Sequence, residues 1–283
     1  MKLVSFGEPG LEMPGVVQGE KVLDLCMADS SLPPSLRAIL EEDLLARIRA
    51  LLAAAPADCW VEAARVRFGP PIPDPRNIIC LGLNYRDPAE EMKMEMPKSP
   101  LLFSKAAGAI AGAYDPIPLG TASKTVDIEA ELAVVIGKAC KGLSESDAPG
   151  AIAGYTILND VSGRDLQFGV KQWYRGKSQD GYAPFGPFLA TPDEIPDPHA
   201  LRIVSRVNGE TWQASSTRHL IFGIPAILAF ITEGMTLFPG DVIATGTPSG
   251  VGYRKTPPKY LKPGDTVGIE IERLGTQRAR VVL

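Results

Sequence analysis

A chain of 283 residues with 29 basic and 33 acidic side chains carries a formal charge of −4, which gives no electropositive footprint for nucleic acid or an anionic membrane. Its 45% hydrophobic and 22% charged content is that of a globular protein able to bury a substantial core, with one large domain and one small one expected from length. The four cysteines, Cys26, Cys59, Cys80 and Cys140, lack C-x-x-C spacing and read as small buried hydrophobes in a reducing compartment. No basic-then-apolar leader opens the chain, and its longest apolar run, Ile221 to Ile231, contains Pro225 and is too short to span a bilayer. A cytoplasmic protein with neither nucleic-acid nor membrane partners is expected.

Met1 to Phe6 reads as a strand, and Gly19-Glu20 between two apolar runs as the turn of a hairpin. From Ser35 to Ala55 the residues Leu36, Ile39, Leu40, Leu44, Leu45, Ile48 and Leu51 recur at helical spacing, and Asp58 to Val66 follows as a short helix or strand. Nothing catalytic stands out in residues 1–70, which read as a small α+β domain. A stiff, Pro-rich stretch follows, and residues 71–77 are the expected linker to a catalytic core over 78–283. With 28 Gly and 26 Pro, and strands outnumbering long helices after residue 77, the fold class is α+β and mainly β.

Asn77 to Leu83 opens the core as a buried strand. Asp87 as N-cap, Pro88 at the first helical position and Glu90 at the third make a helix-start signature. The short segment behind it is Met-rich (Met92, Met94, Met96), ends at Pro97, and suits a lid that orders over ligand. Residues 100–105 form a strand ending in Lys105, which taken alone is a solvated surface charge.

The chain is organised around Val126 to Lys138. Its second half is a β-branched run closed by Gly137, the pattern of a buried strand, yet its first half holds Asp127, Glu129 and Glu131 at alternate positions. On a strand these three project from one side, where neighbouring carboxylates repel. Burying them ionised costs several kcal/mol each without compensation, and a hard divalent cation is the natural one. An acidic face turned to water is the alternative. The next strand-like run, Gly154 to Asp160, ends in another acid, so two strands together can supply three oxygen ligands and leave positions open for water and substrate.

Further on, Asn208-Gly209 is the strongest hairpin signal, and Ile221 to Glu233 an apolar helix. Asp241 to Gly252 runs from a strand into a Gly-rich loop that either brings backbone amides to an anion or simply turns the chain. Leu261 to Leu283 alternates as terminal strands.

These residues carry a resemblance. IICLGLNYRD (78–87), FSK (103–105), DIEAELAVVIGK (127–138), GYTILNDVSGRDLQ (154–167), RGKSQD (175–180), GPF (186–188), VNGE (207–210) and GDVIATGTPSGVG (240–252) resemble, in order, the fumarylacetoacetate hydrolase family. The amino-terminal segment, PPKYLKPGD (257–265) and the length are similar to its bacterial branch acting on sugar-derived diketo acids. That branch includes 2,4-diketo-3-deoxyrhamnonate hydrolases and proteins labelled ureidoglycolate lyase.

The resemblance implies a mixed β-roll core, a homodimer, and Mg²⁺, Mn²⁺ or Ca²⁺ held by Glu129, Glu131 and Asp160, with Asp127 beside rather than in the ligand set. Arg164, Gln167 and Lys177 match its polar residues on the substrate side, Lys105 and Thr247 its anion and carboxylate contacts, and Arg86 a further substrate contact. Glu91 takes the place of a glutamate that pairs with a histidine to activate water, but the histidine position is Pro88, and neither His199 nor His219 falls in a family base position. The implied activity is metal-dependent hydrolysis of a C–C bond in a small 2,4-dioxo acid through an enolate. Catalytic roles fall to Glu91, Lys177 and Arg164. Without the histidine, a decarboxylase, dehydratase or isomerase acting on a 2-oxo acid is the alternative, and a silent ligand-binding protein the reading from another class.

Overall fold

The structure is a computed structural model that describes residues 1–86 and 96–283. Two sheets dominate it. In the larger, the path runs Trp60–Glu62, Lys21–Asp24, Met13–Gln18, Lys2–Phe6, Leu189–Ala190, Ile152–Asn159, Ala130–Ile136, Val242–Ala244, Ile78–Gly82, Leu101–Ser104. The smaller has five strands, in the order Glu210–Ser216, Arg202–Val207, Thr266–Ile271, Gly275–Val282, Ile117–Pro118. The expected α+β, mainly β class is what forms.

The central antiparallel pair, Ala130–Ile136 on Ile152–Asn159, is buried on both faces, which is why its sequence is a continuous apolar run rather than an alternation. Leu132, Val134, Ile136 and Ile157 join a core shared with the small sheet (Ile203, Ile269, Ile271) and with Ile227 and Ile231 of the helix Ile224–Gly234. Ala133, Val135 and Leu158 join a second core with Leu3, Leu23, Leu36, Ile39 and Ile48 from the first seventy residues.

The sheet is continuous across the expected domain boundary. Lys2 and Leu3 pair with Ala190 and Leu189, and the amino-terminal amine donates to Thr191 Oγ1 at 2.5 Å. Pro71 and Ile72 of the linker stretch are buried, with Ser5 Oγ donating to the Pro71 carbonyl at 2.8 Å.

Four local expectations are revised or refined. The periodicity from Ser35 to Ala55 divides into helices Leu36–Glu41 and Leu45–Ala54, because Asp43 takes a φ of 53° after a run of acids that a helix C-terminus disfavours. The segment 58–66 is both alternatives at once, a strand Trp60–Glu62 between two single 3₁₀ turns. The acidic strand breaks after Asp127: Val126–Asp127 pairs with Ser162–Gly163, and the long strand begins at Ala130. Both expected hairpins form around two-residue turns, the second with φ of 52° at Asn208 and 81° at Gly209. The apolar helix begins at Ile224 rather than Ile221. Among the described residues no helix is long and apolar enough to cross a membrane.

Candidate active site

The break at residues 128–129 turns Glu129 toward the end of the neighbouring strand, where the Asp160 amide donates to the Glu129 carbonyl at 2.9 Å. Glu129, Glu131 and Asp160, all buried, then offer carboxylate oxygens within 4.8 Å of one another. Three buried cations surround them. Lys177 donates to Glu129 Oε2 at 2.7 Å and Asp160 Oδ2 at 2.5 Å, and Lys105 to Asp160 Oδ1 at 2.5 Å and the Val161 carbonyl at 3.1 Å. Arg164 lies 2.6 Å from Glu129 Oε1, donates to Asp127 Oδ2 from Nε and Nη2, and reaches Gln167 Oε1 at 2.9 Å.

Glu131 differs. Its one hydrogen bond among the described residues comes from the amide of Gly246, a residue whose φ of 99° suits glycine. Burial, with the charges of Asp160 and Glu129 beside it, pushes its carboxyl well above the usual range. Burial would also raise Asp160, but Lys105 and Lys177 overcome it and hold that carboxyl well below the usual range. For Lys177 burial is likewise outweighed, by Asp160 and Glu129, so the amine stays protonated. A cluster of oxygen donors, one of them a buried carboxyl with no cation partner among the described residues, fits a hard divalent ion.

Arg164 and Gln167 are set by a π-turn over Asp165–Gly169, whose Asp165 accepts from Ser123 Oγ and the Lys124 amide. The helix Trp173–Lys177 packs directly on that turn: a Cβ at Gly176 would meet the Gln167 amide nitrogen at 2.8 Å and the Gly163 carbonyl oxygen at 2.9 Å. This contact brings Lys177 to the carboxylates. The resulting cavity of about 240 Å³ has Glu129, Arg164, Gln167 and Lys177 on its polar side, Phe103, Phe168, Trp173 and Tyr253 as an aromatic wall, and Arg254 among its remaining lining residues. A larger groove of about 570 Å³ beside Trp212 and Tyr260 contains none of the three clustered acids, whereas Glu129 lines the smaller cavity.

The structure thus brings together Glu129, Glu131, Asp160, Arg164, Gln167 and Lys177. Lys105, expected at the substrate's anion, is instead fully buried on Asp160 and does not line the cavity. Thr247 is likewise engaged elsewhere: its hydroxyl donates to the Ala130 carbonyl at 2.9 Å and accepts from Gln213. Arg86 is exposed and is not among the described residues lining the cavity. Glu91, Pro88 and most of the expected lid lie outside the described residues.

Two features escaped the sequence reading. Gln213, fully buried, accepts from the Ala130 amide and Ser205 Oγ and donates to Thr247 Oγ1 and the Pro248 carbonyl, pinning the Gly-rich loop to the acidic strand. An amide facing inward beside Trp212 was the available signal. The aromatic wall gave none, because its four members come from three separated segments.

Comparison with known proteins follows the same lines. Residues 77–282 match the family described as fumarylacetoacetate (FAA) hydrolase C-terminal. The chain is 43% identical to the mitochondrial oxaloacetate tautomerase Fahd2a of Rattus norvegicus, covering 100% of this chain and 92% of the relative. It is 40% identical to 2,4-didehydro-3-deoxy-L-rhamnonate hydrolase of a Sphingomonas species, over 99% and 96% of the two. A fumarylacetoacetate hydrolase structure from Exiguobacterium antarcticum superposes with a TM-score of 0.88 at 37% identity over 100% of this chain and 99% of that one. A Sphingobium maleylpyruvate hydrolase in complex with manganese(II) and pyruvate superposes with a TM-score of 0.81 at 29% identity, again over 100% and 99%. Sequence, fold and the acidic cluster agree: the chain belongs to the fumarylacetoacetate hydrolase family.

Proposed function

We propose that this protein is a divalent-metal-dependent keto–enol tautomerase of a small 2-oxo acid of the oxaloacetate type. The observation that carries the reading is the set of proton carriers in the cavity. Among the described lining residues there is no histidine: His199 accepts from the Ile224 amide at 3.0 Å at the start of a helix, and His219 belongs to the turn Thr217–His219. Hydrolytic C–C cleavage needs a water activated by a base that titrates near working pH. Tautomerisation needs only a proton taken from C3, one delivered to the 2-oxo oxygen, and stabilisation of the charge between those events. The activity named for the rat relative supports this reading, and Pro88 in the histidine's place is consistent with it.

Glu129, Glu131 and Asp160 would hold Mg²⁺, Mn²⁺ or Ca²⁺, which supplies polarisation of the 2-oxo group and neutralisation of enolate charge. Lys177, kept protonated by its two carboxylates, is the hydrogen-bond donor for the oxyanion. Arg164 keeps Glu129 aimed, and the aromatic wall excludes water from the reacting carbon. Glu91, by its place in the family motif, is proposed to carry the C3 proton. A second reading, C–C hydrolysis of a 2,4-dioxo acid, is favoured by the name of the Sphingomonas relative and lacks the base.

The two readings separate in one assay. With Mg²⁺-loaded protein, the ultraviolet band of freshly prepared oxaloacetate enol should decay faster than in buffer, while acylpyruvates remain intact by chromatography. Enol decay at the buffer rate together with cleaved acylpyruvate would establish hydrolysis instead.

A further inference from the structure

We propose that Arg254 binds the distal carboxylate of the substrate and so restricts the cavity to dicarboxylic 2-oxo acids; this rests on the 2-oxo acid reading of the site above. Three cations line the cavity. Arg164 is paired with Asp127 and Glu129, and Lys177 with Glu129 and Asp160. Among the described residues, Arg254 is the lining cation that no carboxylate pairs. Its guanidinium carbon lies 4.7 Å from the centre of the Tyr253 ring, and the Arg164 guanidinium lies 4.2 Å from the same ring. One aromatic ring therefore joins the committed guanidinium at Glu129 to the uncommitted one on the exposed side of the same cavity.

The backbone beneath Arg254 is fixed. The turn Gly252–Arg254 is tied to Asp127, which accepts from the Gly252 amide at 2.8 Å and the Tyr253 amide at 3.0 Å. A Cβ at Gly252 would fall 2.2 Å from the Lys259 carbonyl oxygen, so the loop is pressed against its neighbour and cannot shift that way. The adjacent cation, Lys255, turns elsewhere and lies 5.5 Å from the Trp212 ring centre. A guanidinium on a held backbone, stacked on an aromatic face, presents a preorganised fork for a carboxylate. With the 2-oxo acid end of a ligand at the acidic cluster, a second carboxylate extends toward this fork.

The test is calorimetric titration of Mg²⁺-loaded protein with oxaloacetate and with pyruvate, which shares the 2-oxo acid end and lacks the distal carboxylate. In Arg254→Gln the dissociation constant for oxaloacetate should rise roughly 10- to 100-fold while that for pyruvate changes less than about twofold. Arg254→Lys, which keeps the charge and loses the fork, should fall between. Equal weakening of both ligands, or unchanged oxaloacetate affinity, overturns the assignment. Selective loss of oxaloacetate binding in a protein that does not speed enol decay upholds Arg254 and refutes the tautomerase. Enol decay insensitive to Arg254 with unselective binding does the reverse.

Discussion

Asp127→Asn should destabilise the protein by about 3–5 kcal/mol, although it changes one atom and leaves the acidic cluster untouched. Asp127 is fully buried and accepts five hydrogen bonds, at Oδ1 from the amides of Ile128 and Gly252, and at Oδ2 from the amide of Tyr253 and from Nε and Nη2 of Arg164. An asparagine keeps one acceptor. Whichever way its amide is turned, the new NH₂ faces at least two buried N–H donors, at about 1–3 kcal/mol for each left unsatisfied. Arg164 also loses a buried counter-charge, an effect moderated because Glu129 remains 2.6 Å from it. Against a total of about 5–15 kcal/mol, the loss is large. Urea unfolding followed by tryptophan fluorescence should show a lower midpoint at unchanged slope. Because the same carboxylate ties down the turn below Arg254, the surviving folded protein should also lose preference for oxaloacetate over pyruvate. A midpoint within about 0.5 kcal/mol of the parent, by the error of such measurements, would refute the reasoning.

The remaining predictions concern the metal, a histidine and the assembly. Glu131→Gln should abolish most Mn²⁺ binding in calorimetry yet leave the metal-free protein at least as resistant to urea at neutral pH, since the buried carboxyl has no cation partner among the described residues; lowered metal-free stability would contradict this. His199, half-buried, has its pKa lowered by burial against the opposing charge of Asp197, and its Nε2 must be neutral to accept from Ile224. The unfolded chain therefore binds that proton more tightly, so the contribution is present above about pH 6.5 and lost as pH falls through the native value. Melting temperature should therefore drop on acidification, and His199→Gln should abolish that part of the drop; an identical pH profile in the variant would exclude the cap. Light scattering should give the homodimer that the family resemblance implies, and a monomer at working concentration would remove that expectation.

What was legible in the sequence was a contradiction. A run as apolar as Leu132 to Ile136 demands burial on both faces, and acids at alternate positions directly before it demand compensation or water, so the pattern marked the acidic stretch. The strand ending in Asp160 and the family resemblance were needed to select Glu129, Glu131 and Asp160. The two hairpins were legible from local pattern, since Gly19 and Asn208-Gly209 supply the positive φ that the turns require. What depended on distant pairing was hidden. Lys105 looks like any surface lysine until the fold sets it on Asp160, 55 positions away. No local signal joins Leu3 to Leu189, or ends the acidic strand at Asp127 by pairing that residue with Ser162. The break is decisive for the site: it sends Asp127 to Arg164 and the Gly252 turn while Glu129 and Glu131 converge on Asp160.

Charge explains why the site is built in this way. Four buried carboxylates, Asp127, Glu129, Glu131 and Asp160, face three buried cations, Lys105, Arg164 and Lys177, so the ionised cluster is one negative charge in excess. A divalent ion turns that excess into one positive charge, and a single substrate carboxylate neutralises it. A second carboxylate then requires a further cation, and Arg254 is the one the cavity offers. Binding should therefore be ordered. In protein stripped with a chelator the burial-raised Glu131 carboxyl keeps its proton, and the three remaining carboxylates balance the three cations. Pyruvate then meets a buried site with no net positive charge to offset the cost of desolvating its own carboxylate. Calorimetry should detect no pyruvate binding until Mg²⁺ is restored. Comparable affinity with and without the ion would show that the carboxylate is held by the protein's own cations, and the charge argument would fall with it.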